Sequence, residues 1–148
     1  MNNAFVDQIA HARVIIAALS PTSDAGQPFT LSPGDLATAQ EPQPHRRTFN
    51  VRVDAAPPET IGWIGTSYRT IEARFRVECN YDALRDLNDL DAYIVEDTDA
   101  IVSALELPSG RVSADVLIIQ LVDRQVAQTS DFAAMVLVFS IQYRVAVP

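Results

Sequence analysis

Ala114-Asp115-Val116-Leu117-Ile118-Ile119-Gln120-Leu121-Val122 and Ala134-Met135-Val136-Leu137-Val138-Phe139-Ser140-Ile141-Gln142-Tyr143-Arg144-Val145 decide how this chain folds. Both runs are dominated by branched and aromatic side chains. Ala127-Gln128-Thr129-Ser130-Asp131 joins them as a polar connector of hairpin type. Strands this apolar cannot face water on both sides. They need a helix or a sheet on one face and leave room for another subunit on the other. No catalytic residue set lies between them, so they point to a component of an assembly rather than to an enzyme.

Outward from this hairpin, the rest of the chain supplies its cover. Asn3 to Leu19 has helical spacing, with Phe5, Ile9, Ala12, Ile16 and Leu19 on one face. Asn2 or Asn3 can cap this helix, Asp7 suits the positive end of its dipole, and Ser20-Pro21 stops it. Asp82 to Leu105 is also helical, with a break expected near Asn88–Asp91. Leu84, Leu87, Leu90, Ile94, Ile101 and Leu105 form its apolar stripe, and Leu107-Pro108-Ser109-Gly110 ends it.

Two strands are expected between the helices. Arg47 to Asp54 alternates, with Phe49, Val51 and Val53 on one side. Arg69 to Tyr81 alternates too: Ile71, Ala73, Phe75, Val77 and Cys79 face one way, and Glu72, Arg74, Arg76 and Glu78 the other. Residues 55–66 between them read as a long hairpin connection, because two prolines and two glycines interrupt any strand. That connection still carries Ile61, Trp63 and Ile64. Apolar bulk at such a place either folds back on the core or meets a protein partner, where tryptophan is a frequent anchor.

The expectation is therefore an α+β fold: a mainly antiparallel four-stranded sheet with helices packed on a face, in the order α-β-β-α-β-β. A Pro-rich excursion, 21–44, interrupts this single domain. Phe29, Leu31 and Leu36 give it something to pack with, and one helical turn is expected near Pro33–Ala39. The excursion is either an insertion without a role or an arm lying on a neighbouring subunit.

The 148 residues fit one domain, which buries roughly 70% of its unfolded surface without staples. The single cysteine, Cys79, excludes an internal disulfide framework and fits a reducing compartment. It falls on an apolar strand face and reads as a small core residue. The N-terminus has no basic n-region, and Asp7, His11 and Arg13 interrupt its apolar stretch, so neither a signal peptide nor a membrane span is expected.

The net charge is -8, and all basic residues are arginine. Arginine suits bidentate pairing at interfaces. An acidic surface repels nucleic-acid phosphates over about 8 Å at physiological salt, which argues against wrapping DNA but not against DNA passing by.

Phosphate-cradling loops and a Gly-x-Ser-x-Gly elbow are missing. His11 and His45 have no second ligand at a metal spacing. Glu96-Asp97-Thr98-Asp99 lacks the turn glycine and distal glutamate of a calcium loop. Asp86, Asp89, Asp91, Glu96, Asp97 and Asp99 are expected on one solvated helix face. Copied around a ring, that face would repel DNA or dock an arginine-bearing neighbour. His45-Arg46-Arg47 is a small basic cluster, and Arg and Glu on the polar strand faces are expected to pair across the sheet. No cofactor, metal or catalytic residue is expected.

Length and element order resemble the tail terminator proteins of long-tailed bacteriophages and related prophages. The helix Asn3–Leu19, the strand pair Thr48–Asp54 and Arg69–Tyr81, the acidic helix Asp82–Leu105 and the hairpin Ala114–Val126 with Phe132–Val147 carry the resemblance. It implies a homohexameric ring that caps the head-proximal end of the tail tube, stops its polymerisation and meets the head-completion (neck) proteins. DNA would travel through the hole without specific binding. The location implied is the tail-neck region of the virion, after assembly in the host cytoplasm. Ile61, Trp63, Ile64, Phe29 and Leu31 are the candidate partner-binding residues. Two other readings remain open. One is a head-tail adaptor or stopper. The other is a ferredoxin-like small-molecule-binding regulatory domain, since the element order is a circular permutation of that fold.

Overall fold

A computed structural model describes residues 3–19, 29–31, 48–55, 57–82, 89–129 and 132–147. Helix α1 spans Ala4–Ala17, followed by strands β1 (Thr30–Leu31), β2 (Thr48–Val53), β3 (Glu59–Ile64) and β4 (Tyr68–Asp82). Helix α2 (Leu90–Glu106) runs into a single 3₁₀ turn, Pro108–Gly110, and strands β5 (Val116–Gln128) and β6 (Phe132–Ala146) close the chain.

The sheet order is β1-β2-β4-β6-β5, with β3 also on β4. Every pairing is antiparallel except the two-residue parallel contact of β1 with β2. Strand β4 is the spine. It pairs with β6 along its whole length, from Tyr68↔Ala146 to Asp82↔Phe132. Its other side is shared end to end: β2 covers Phe75–Asn80 and β3 covers Tyr68–Glu72.

Alternation decides which face is covered. Ile71, Ala73, Phe75, Val77, Cys79 and Tyr81 of β4 are buried with Met135, Leu137, Phe139, Ile141 and Tyr143 of β6. Phe75 and Phe139 are register partners and stack at 5.3 Å. Both helices lie on this face. Phe5 of α1 stacks on Tyr143 at 5.9 Å, and Thr98 of α2 reaches the sulfur of Met135 at 3.0 Å. Each large side chain withdrawn from water here contributes about 1.5–3 kcal/mol.

The ends of α1 follow its sequence. The Asn3 side chain accepts a 2.8 Å hydrogen bond from the Phe5 N–H, satisfying one of the orphan donors of the first turn. The buried stripe is Phe5, Gln8, Ile9, Ala12 and Ile16. Gln8 is its polar member. Its side-chain amide donates to the Gly110 carbonyl at 2.8 Å and accepts from the Val112 N–H at 2.7 Å, tying α1 to the connection between α2 and β5. Gly110 is packed so closely that a Cβ there would collide with the Ala104 carbonyl and stand 2.6 Å from the Leu105 carbonyl.

The α+β class and the mainly antiparallel sheet match the expectation, but the described residues form six strands rather than four. One added strand, β3, lies in the stretch expected to be loop. Pro57 and Pro58 precede it instead of interrupting it, and Gly62 sits beside the bulge at Ile61, where a strand tolerates glycine. The other, β1, comes from the Pro-rich stretch. The helical turn expected near 33–39, with Leu36, lies outside the described residues. The second helix begins at Leu90, and Asp82 belongs to β4. Leu84 and Leu87 lie outside the described residues.

Candidate functional site

Strands β3 and β4 form a hairpin closed at Gly65, whose φ of 61° is left-handed and free of strain only for glycine. The turn end of the hairpin is held on its far side by β6. There the Arg144 guanidinium lies 4.8 Å over the Tyr68 ring and donates to Asp115 at 2.8 Å. The β3 side chains have no such cover. Ile61 and Ile64 are exposed, and Trp63 keeps 63% of its surface in water. Trp63 is the register partner of Arg69, which puts it on the helix-bearing face of the sheet, in the same row as Val145 with Arg69 between them.

The opposite edge of the sheet, β5, behaves alike along its second half. Up to Leu121 the strand is guarded, since Glu106 at the end of α2 accepts from the Leu121 N–H at 2.9 Å. A bulge between Leu121 and Asp123 follows. Val122 in the bulge, and Arg124 and Val126 beyond it, are exposed. The sequence reading missed this edge, because Val122 and Val126 sit in an apolar strand whose outer neighbour cannot be read from spacing.

Of the two partner-binding candidates in the excursion, Leu31 is exposed. Phe29 is not: it is buried and packs edge-on against Phe49 at 6.2 Å. The expectation for Phe29 is corrected accordingly, since its ring is consumed by the core.

The acidic helix face also needs correction. Asp89, Asp91, Glu96 and Asp99 are exposed, and Asp86 lies outside the described residues. Asp97 is only 2% exposed and accepts a 2.8 Å hydrogen bond from the Tyr81 hydroxyl. Its position explains this: Leu90, Ile94, Asp97, Thr98, Ile101 and Leu105 form the buried stripe of α2. A carboxylate on that stripe is tolerable only with hydrogen-bond partners. Burial pushes the Tyr81 phenol well above its ordinary range, and the neighbouring Cys79 and Asp97 push it the same way.

The face of the sheet opposite the helices is polar. Register sets Arg52 against Arg76, Asn50 against Glu78 and Glu59 against Glu72, so in these two pairings no Arg stands directly opposite a Glu. One charge contact runs along β4. Arg76 approaches Glu78 at 2.6 Å without hydrogen-bond alignment, and Glu78 is 1% exposed. Glu72 accepts from the Ser140 hydroxyl at 2.8 Å. Pro57, Glu59, Glu72, Ala73 and Arg74 line an open polar cup of about 320 Å³.

Cys79 is buried on the helix side. His11 is partly exposed on α1, and His45 lies outside the described residues. Among the described residues no three His, Cys, Asp or Glu side chains are grouped to hold a metal ion, and no helix is long and apolar enough to cross a membrane. The arrangement offers an apolar β3 edge, a mixed β5 edge bearing Val122, Arg124 and Val126, and an acidic helix surface. No protein-family model matches the chain, and no curated protein matches it in sequence.

Proposed function

We propose that this chain is a structural virion subunit that assembles as a homohexameric ring on the head-proximal end of a phage tail tube. There it stops tube growth and receives the head-completion proteins. In this role it performs no reaction and uses no cofactor. DNA crosses the ring without specific contact, in keeping with a net charge of -8.

One observation carries the reading: Ile61, Trp63 and Ile64 stand in solvent on a hairpin whose backbone is fixed by β4 and β6. A rigid strand bearing an exposed tryptophan suits a binding anchor, because little ordering entropy is lost when it docks. The acidic surface of α2 adds a second contact of opposite character. The family resemblance supplies the identity of the partners.

The test mixes the purified chain with tail-tube protein. Light scattering is expected to give a sixfold multiple of 16.2 kDa, and electron microscopy to show tubes that stop growing at one end. Binding to portal or adaptor protein instead of tube would transfer the role to a neck adaptor. A dimer carrying a bound metabolite would replace it with a regulatory domain.

A further inference from the structure

We infer that copies of this chain join by continuing one sheet, the β3 edge of one copy pairing antiparallel with the second half of β5 in the next. This rests on the assembly reading above and names its lateral contact. Soluble proteins normally guard sheet edges with lysine, proline, charge or a covering element. Neither β3 nor β5 contains proline and the chain has no lysine; the guards they carry are a bulge at Ile61 and Glu59 on β3, and a bulge at Val122 with Asp123 and Arg124 on β5. Of the exposed large apolar side chains on β2 to β6, all but Val53 of β2 lie on these edges: Ile61, Trp63 and Ile64 on β3, Val122 and Val126 on β5.

The edges differ in a way that favours each other over themselves. Strand β3 is aromatic and carries no cation, while β5 carries Arg124 and no aromatic ring. The pairings place Trp63 on the helix-bearing face through Arg69, and Arg124 and Val126 on that same face through Leu137 and Met135. With the helices of adjacent copies on one side, Trp63 of one copy meets Arg124 and Val126 of the next. A guanidinium over an indole face and a valine at its edge are both favourable there. Strand direction agrees: β3 runs against β4, and β4 and β5 both run against β6, so β3 of the next copy meets β5 antiparallel.

Two different edges make a heterologous contact, which closes into a ring or runs on as a filament. The edges also sit at opposite ends of the sheet. The row of Trp63 meets β4 at Arg69, and the row of Val126 meets it at Cys79. Ten residues of strand are about 33 Å. Copies joined this way step along the strand direction, so closure requires strands tilted to the ring axis, as in a barrel.

That separation makes the inference testable by cross-linking. A disulfide needs Cα atoms about 4.4–6.8 Å apart. Thr60 meets β4 at Ile71, whereas Arg124, Val126 and Gln128 lead to Val77, Cys79 and Tyr81. The nearest of these rows is six residues away, about 20 Å. A bond between them therefore forms only between copies. Thr60→Cys is combined in turn with Arg124→Cys, Val126→Cys and Gln128→Cys, keeping Trp63 intact, and oxidised with copper-phenanthroline alone and with tail-tube protein. At least one double variant is expected to give a reducible ladder in steps of 16.2 kDa, with none from the four single variants. Trp63→Ala on that background is expected to cut ladder yield at least tenfold. Dimers from a single variant would mean a two-fold contact and overturn the inference. So would the absence of a ladder from all three doubles in both conditions. A ladder without tube binding keeps the inference and removes the capping role. Capping without a ladder does the reverse.

Discussion

Tyr81 on β4 and Asp97 on α2 meet 2.8 Å apart inside the interface between helix and sheet, both almost wholly withdrawn from water. Their contact is a polar tie between these layers. Tyr81→Phe is expected to lower stability by about 1–3 kcal/mol, the cost of removing a donor from a buried acceptor, measured by urea unfolding. A second signature comes from pH. The folded-state pKa of Tyr81 lies above the ordinary 10.0, so the folded chain holds the proton more tightly than the unfolded one. Its contribution is complete below pH 10 and is lost as pH rises through the folded value. Tyr143, also raised by burial, adds to the same slope. Melting points measured between pH 8 and 11 should fall less steeply in Tyr81→Phe than in the native chain. Equal slopes would deny the tie this role.

Gln8 and Gly110 give a packing prediction. Gly110→Ala forces a Cβ against the Ala104 carbonyl and is expected to cost about 1–3 kcal/mol in overpacking. Gln8→Ala removes the partners of the Gly110 carbonyl and the Val112 N–H, with a loss of similar size. The two residues share one contact, so the double variant should cost less than the two losses added. Full additivity in denaturation would show that they act separately.

Trp63 and Phe49 should separate assembly from folding. Trp63→Ala removes an exposed ring and is expected to change unfolding free energy by no more than about 0.5 kcal/mol. It should nevertheless weaken ring formation or tube capping by tenfold or more. Phe49→Ala empties a fully buried site and is expected to cost about 3–5 kcal/mol. Normal capping and particle yield with Trp63→Ala would remove the hairpin from the interface.

Glu96 and Asp99 test the acidic surface of α2. Both are exposed, so Glu96→Gln with Asp99→Asn should leave the fold within about 0.5 kcal/mol for each change. Native assembly is expected to weaken between low and physiological salt, and the double variant to lose that dependence. An assembly already indifferent to salt would show that this surface docks nothing.

Much of this fold is legible in the chain. Alternation in β4 and β6 marks the buried face residue by residue, and Asn3 caps α1 as its residue type suggests. The failures have physical causes. Strand β3 was hidden by Pro57, Pro58 and Gly62, which break a strand in isolation but here lie before it and beside a bulge. Asp97 was read with its acidic neighbours, although it stands three residues after Ile94, on the apolar spacing. The hydroxyl that makes its burial tolerable arrives from Tyr81 on another element, and no local pattern announces it. Which residue stands opposite Arg52 or Glu78 is hidden for a similar reason, since strand register belongs to the folded sheet.

Strand β4 serves two neighbours in succession, β2 along its later half and β3 along its earlier half. Buried rings and both helices secure the first arrangement, while the second ends in solvent. The molecule is thus divided into a conservative chassis and an interchangeable nose. In the proposed assembly, substitutions at the nose would alter what it greets without disturbing the chassis, so a new mate would need changes at only a handful of positions.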